Sequence, residues 1–263
     1  MYPGFMATEF TGGGDPGRSI ALLWGVTEPG RRGPKPSRSV DEVVHAAIAL
    51  ADADGLAALS IRRVAEALGL SPMALYTYVP SKAELIDLML DRVAGEAAPP
   101  DAPDWRGRLE QLARGRWAMA QRHPWVTQVG MHRPPLGPHL LAAAERTLQA
   151  IDGLGLSELE MEQVISAIGD YVRGAIRAAL DAREVARATG MTDEQWWALN
   201  QPLLKDKVDP AGFPTITKIG EAYEAGKIQS HDPERNFEFG LQRLLDGVAA
   251  FIAERNRGSS GAA

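Results

Sequence analysis

The chain has 263 residues, 45% of them apolar and 24% charged, which is the balance of an ordinary globular protein with ample material for a core. It has no cysteine, so disulfides, thiol nucleophiles and Cys-ligated metal sites are excluded. With 28 Lys and Arg against 34 Asp and Glu the net charge is −6, which excludes a protein that coats nucleic acid over its whole surface but leaves room for a small basic reading head.

Met1 to Phe10 lacks the basic-then-apolar pattern of a signal peptide. The longest near-apolar runs, Ile20–Trp24 and Val43–Leu50, fall far short of the roughly 20 residues that span a bilayer. A cytoplasmic protein with no membrane partner is expected. Residues 1–36 have the composition of a flexible basic extension, with Gly12-Gly13-Gly14, Pro29-Gly30 and Gly33-Pro34. Ile20–Trp24 is the exception and could dock as a short apolar turn. Arg31, Arg32, Lys35 and Arg38 form a run of cations with no acid between them. They read either as a solvated linker or as an arm that touches phosphates or a minor groove.

Helical periodicity begins at Ser39, where Ser39 and Glu42 form a capping box ahead of the stripe Val43, Val44, Ala47, Ile48, and Gly55 supplies the stop. Ser60 caps a second, short helix that ends at Gly69. Ser71-Pro72, an N-cap followed by Pro at the first helical position, opens a third over Pro72–Tyr78, stopped by Pro80. Ser81 and Glu84 read as another capping box, opening a fourth helix with Leu85, Ile86, Leu88, Met89 and Val93. Pro99, Pro100 and Pro103 close this compact head of 37–98. Further helices are expected near 105–122, 124–130, 135–152, 158–187, 193–206, 214–226 and 233–255, with capping boxes at Ser157/Glu160 and Thr192/Gln195. They form a helical domain over 104–256 and leave 257–263 as a disordered tail. The fold class is all-α.

The second and third helices, joined at Leu68-Gly69-Leu70-Ser71, make a helix-turn-helix, whose second helix can lie in a major groove. Over Val40–Val93 the residue types, Gly69, the Leu75-Tyr76 pair, Tyr78 and Lys82 fall in register with the tetracycline-repressor (TetR) family of bacterial transcriptional regulators, which the sequence resembles. The resemblance implies that Ser60, Arg62, Pro72, Met73, Ala74, Tyr76, Thr77, Tyr78 and Lys82 contact double-stranded operator DNA. Ser60 can present its hydroxyl and nearby amides to a phosphate, and Arg62 suits phosphate or a base edge. Met73 and Ala74 offer apolar contact to a thymine methyl. Tyr76, Thr77 and Tyr78 can hydrogen-bond phosphates, and Lys82 is a phosphate anchor. The segment Pro72–Tyr78 contains no Arg, Lys, Asn or Gln, so more of the specificity falls to Arg62, DNA shape and the basic arm.

Val164–Leu180 and Phe237–Ile252 are broad apolar stripes, read either as core within the chain or, as the resemblance favours, as helices that pair with a second copy. The homodimer that a palindrome demands has such an interface. The resemblance also implies a small-molecule effector pocket in this body. Its candidate lining is Trp117, Met119, Trp125, Met131, His132, Arg133, Tyr171, Trp196 and Trp197, although aromatic and Met side chains on helices also serve as core. Met131-His132-Arg133-Pro134 resembles a drug-binding loop of the family's namesake. Val129 stands where that protein has a metal-binding His, which counts against a magnesium-chelated ligand. His132 and His139 lack a third ligand, so neither a metal nor another cofactor is expected. No P-loop, G-x-G-x-x-G, G-x-S-x-G or H-E-x-x-H motif is present. The expected function is a transcriptional repressor released from its operator by an effector. An all-α interaction module, or an enzyme without a recognisable motif, is the alternative.

Overall fold

A computed structural model describes residues 9–26, 38–205, 207–228 and 232–260. Arg31, Arg32 and Lys35 of the expected arm lie outside them. The chain divides into two compact units, residues 1–170 with 247–263 and residues 171–246.

In the first unit, residues 9–26 form regular structure where composition alone reads as linker. Glu9–Phe10 is a short strand, β1, and Pro16–Leu23 a helix, α1. Asp15 caps α1 by accepting from the Arg18 N–H at 2.8 Å, and Pro16 fills the first helical position. Leu22 and Leu23 pack on the core, and the Trp24 indole N–H donates to the Leu136 carbonyl at 2.9 Å.

The head follows in four helices, α2 (Val40–Asp54), α3 (Ile61–Ala67), α4 (Pro72–Leu75) and α5 (Lys82–Ala94). Ser39 and Glu42 form the reciprocal capping box. Val43, Ala47, Val64, Ala65, Leu75, Val79, Leu85 and Met89 are fully buried and close one core. The third helix is shorter than its sequence signal, because after Leu75 the chain tightens into i→i−3 bonds, Thr77 N–H to Ala74 and Tyr78 N–H to Leu75. The box expected at Ser81 is different too. Ser81 accepts from the Ala83 N–H, while Glu84 turns inward, 4% exposed, and takes hydrogen bonds from the Ser81 hydroxyl and the Asp15 N–H.

Helix α5 is buried nearly all round, packing against α1, α2 and α7. Its polar groups Glu84, Asp87 and Asp91 recur at helical spacing on one face, and each accepts backbone N–H groups from other segments. Asp87 accepts from Gly12 at 3.4 Å. Asp91 accepts from His139 at 3.1 Å and Leu140 at 2.9 Å, capping α7 (Pro138–Gln149) from outside. Gly137 is required at that cap, because a Cβ there would collide with the Asp91 carboxylate.

Helix α6 (Trp105–Arg122) is capped by Asp104. The helix expected at 124–130 is a 3-10 turn, Pro124–Gln128, followed by strand β2, Val129–Gly130, which pairs in parallel with β1. The following helix starts at Pro138, three residues later than expected, because Pro134 and Pro135 hold the chain extended. Helices α8 (Glu158–Thr189) and α11 (Pro233–Ser260) run through both units. In the first unit, Ser157 and Glu160 form the expected box, and Arg255 pairs with Glu160.

The second unit holds α9 (Asp193–Lys205) and α10 (Pro214–Glu224) with parts of α8 and α11. Thr192 and Gln195 form the box that opens α9. Tyr171 stacks on Phe237 at 6.2 Å and donates to the Phe237 carbonyl at 2.8 Å, an approach possible because residue 240 is Gly. Among the described residues no helix is long and apolar enough to cross a membrane.

Burial raises the Asp87 carboxyl to about 6, against the Gly12 N–H and with the charge of Glu84. A folded pKa above the unfolded one means that native Asp87 binds the extra proton, so its contribution to stability is full below about pH 4 and is lost as pH rises through about 6. Asp87→Asn, which keeps the acceptor for Gly12, should raise the thermal midpoint relative to wild type at pH 7 and lose that advantage at pH 4. Melting curves at the two pH values check this.

Candidate nucleic-acid interface

Helices α3 and α4 are set against each other by a turn whose bonds all close. Leu70 N–H reaches the Ala65 carbonyl at 2.8 Å and Gly69 N–H reaches Glu66 at 3.1 Å, a Schellman motif that needs a left-handed residue. Gly69 supplies it, with φ +68°. Ala65 is fully buried beneath the crossing. Ser71 then accepts from Ala74 N–H at 3.1 Å to start α4.

This arrangement brings Ser60, Arg62, Pro72, Met73, Tyr76 and Thr77 to solvent or partial exposure on the two helices of the motif. Ser60 caps α3, its hydroxyl accepting from Arg63 N–H at 3.3 Å. Arg62 is exposed and has no ion pair or hydrogen bond among the described residues, whereas Arg63 is committed to Asp54 at 2.5 Å. Met73 is 75% exposed and Tyr76 46%, large apolar surface held outward by a helix whose Leu75 is fully buried. Ala74 is half-buried, and the Thr77 hydroxyl donates to the Ala74 carbonyl at 2.7 Å.

The remaining residues of the expected set are engaged within the chain. The Tyr78 hydroxyl accepts from Arg38 N–H at 3.3 Å. The Arg38 guanidinium reaches Glu42 at 3.1 Å and the Leu68 carbonyl at 3.3 Å, which ties the residue before the α2 cap to the end of α3. Those contacts hold the Glu42 carboxyl below its ordinary range, the Ser39 N–H first and Arg38 after it. Lys82 pairs with Glu9 of β1 at 2.7 Å. The Arg38–Glu42 pair is legible as an i,i+4 spacing. The Lys82–Glu9 pair has no local signal, since the two residues meet only through the strand pairing.

The candidate effector residues are spread across both units. In the first, Trp125 is 1% exposed within the head core, and its indole N–H donates to Asp52 at 2.8 Å. His123 stands beside it, with one ring nitrogen facing Asp52 at 2.8 Å and the other Glu96 at 3.1 Å. Burial works to raise the Glu96 carboxyl, but hydrogen bonds from Arg122 and His123 hold it below the usual range. Trp125 therefore fastens α2 to the segment after α6. Trp117, Met119 and Met131 are half-buried, and His132 and Arg133 are exposed, the Arg133 carbonyl accepting from the Thr11 hydroxyl at 2.6 Å. In the second unit, Trp196 and Trp197 form an edge-to-face pair at 5.0 Å and are half exposed. One cleft, about 280 Å³, is lined by Pro99–Ala102, Arg108, Arg146, Gln149 and Ala150, and another by Gly190, Met191, Gln195, Ala198 and Leu199; neither includes a candidate residue. Among the described residues no group of three His, Asp or Glu is placed to hold a metal.

Gly69 has open space around a would-be Cβ, so Gly69→Ala isolates the backbone cost. The loss should be about 1 kcal/mol in denaturant titration.

Two family models match the chain. "Bacterial regulatory proteins, tetR family" covers residues 43–89, and "Tetracyclin repressor-like, C-terminal domain" covers 98–252. The HTH-type transcriptional repressor DrrR1 of Streptomyces coeruleorubidus is 42% identical over 97% of this chain and 93% of its own. An HTH-type transcriptional regulator of Saccharopolyspora erythraea is 30% identical over 82% of this chain and 86% of its own. Among solved structures, the TetR family protein ActR of Streptomyces coelicolor, in complex with actinorhodin, superposes with a TM-score of 0.66 at 26% identity, over 84% of this chain and 99% of that one.

Proposed function

The chain belongs to the tetracycline-repressor family of bacterial regulatory proteins, and on that premise we propose that it binds a palindromic operator as a homodimer and leaves it when a small organic effector binds. The observation that carries the DNA face is the exposed surface of α3 and α4, where Arg62 has no partner among the described residues and Met73 and Tyr76 are held outward by buried Leu75. Arg62 reads a base edge or a phosphate, Ser60 and Thr77 present hydroxyls to the backbone, and Pro72, Met73, Ala74 and Tyr76 give apolar contact in the groove. Tyr78 and Lys82 join from the edge of the same surface after exchanging internal partners. Arg38 carries the start of the arm, to which Arg31, Arg32 and Lys35 belong. Residues 37–98 act as the reading head and 104–256 as the effector and dimerisation domain. Membership in this family makes the protein a regulator of transcription and not an enzyme.

The dimer reading rests on which face of two helices is left open. Ile176 on α8 and Leu241 and Leu245 on α11 are buried within the single chain. Among the exposed residues of the second unit, beside charged ones such as Arg173 and Asp246, are Gly174 and Ala178 on α8 and Phe239 on α11. Small residues let two backbones approach closely, and Phe239 at 65% exposure is the apolar anchor of that face. Ligand-bound ActR supports an effector here, with Trp117, Met131, His132, Arg133, Tyr171, Trp196 and Trp197 the side chains to test and Trp125 a structural neighbour.

Each phosphate contact should lower log affinity by about 0.9 per decade of salt. Arg62→Ala should weaken binding to DNA selected from a genomic pool by about 1–3 kcal/mol and relax its sequence preference. Anisotropy titrations at several salt concentrations measure both, and a salt-independent affinity would contradict the reading. Phe239→Glu should give monomers by light scattering, where wild type gives dimers.

A further inference from the structure

We infer that Glu9 is an internal competitor for the phosphate anchor, so that the N-terminal strand weakens DNA binding and links its strength to the 129–136 loop. This inference rests on the DNA-binding reading of Lys82.

Lys82 opens α5 immediately after its cap Ser81, and its ammonium sits 2.7 Å from the Glu9 carboxylate. A phosphate can take that ammonium only by displacing an anion already present, and the displaced carboxylate then lies beside the DNA. The competition is strong because Glu9 is not on a free tail. Glu9 and Phe10 pair with Val129 and Gly130. Thr11 gives its N–H to the Gly130 carbonyl at 3.2 Å and its hydroxyl to the Arg133 carbonyl at 2.6 Å. Gly12 and Asp15 then give their N–H groups to Asp87 and Glu84 of α5. The strand is thus pinned on both sides of Glu9's reach, to the loop and to the helix that carries Lys82. A carboxylate so tethered acts at high effective concentration, and much of the entropy cost of forming the pair has been met by the strand. Because β2 belongs to the loop that runs to Leu136, where Trp24 is also bound, a shift of that loop must carry Glu9 with it.

Phosphate contacts do not depend on sequence, so a fluorescent random-sequence duplex is a sufficient probe. Anisotropy titration of the full chain should show Glu9→Gln binding about two- to fivefold tighter than wild type, the range for one exposed ion pair. Thr11→Val, which unpins the strand without touching charge, should tighten binding in the same direction. In a Lys82→Ala background, Glu9→Gln should tighten binding clearly less than it does in the wild-type chain. Unchanged affinity in Glu9→Gln, or equal tightening with and without Lys82, overturns the inference and leaves the DNA-binding reading intact. A wild-type chain with no affinity for the duplex overturns both.

Discussion

Three carboxylates inside one helix constrain the first unit more than any other feature. Glu84, Asp87 and Asp91 are each 4% exposed or less, and a buried carboxylate without hydrogen-bond donors is far too costly to keep. Their donors come from backbone outside α5: Asp15 and Gly12 on one side, His139 and Leu140 at the start of α7 on the other. The helix that begins with Lys82 is therefore clamped between an N-terminal segment and α7 by bonds that cannot be given up singly. The Asp52–Trp125–His123–Glu96 network ties α2 to the segment following α6 in the same manner.

Much of this was legible because the chain punctuates its helices clearly. Ser39/Glu42, Ser157/Glu160 and Thr192/Gln195 are reciprocal boxes, and Ser71-Pro72 and Gly69 mark the turn of the motif where the structure has it. What was not legible depends on distant partners. Ser81-x-x-Glu84 has the letters of a box, but Glu84 goes to the Asp15 N–H. Residues 124–130 have the apolar content of a helix, but Val129–Gly130 is extended because β1 offers it a strand. Glycines at 12–14 look like linker, yet a Cβ at Gly14 would meet the Glu84 side chain at 2.6 Å, so the composition there reflects close approach as well as turning.

The face proposed to meet DNA is sparing with charge. Its unpaired cation among the described residues is Arg62, while Arg38, Arg63 and Lys82 have carboxylate partners in the free protein. On the proposed reading, such a surface would bind DNA by exchanging internal ion pairs for phosphates and by pressing Met73 and Tyr76 into the groove, which suits a net-acidic regulator that must not adhere everywhere. Effector residues were harder to read, because Trp and Met serve core and pocket alike; Trp125 illustrates the first use, and the exposed pair Trp196 and Trp197 is open to the second.

The most direct test of the central claim is amide hydrogen exchange on the full chain with and without duplex DNA that the protein has itself selected. Protection is expected to concentrate at residues 60–63 and 71–82, with little change at 193–224. Protection confined to 193–224, or none in a complex shown to be saturated, would contradict it.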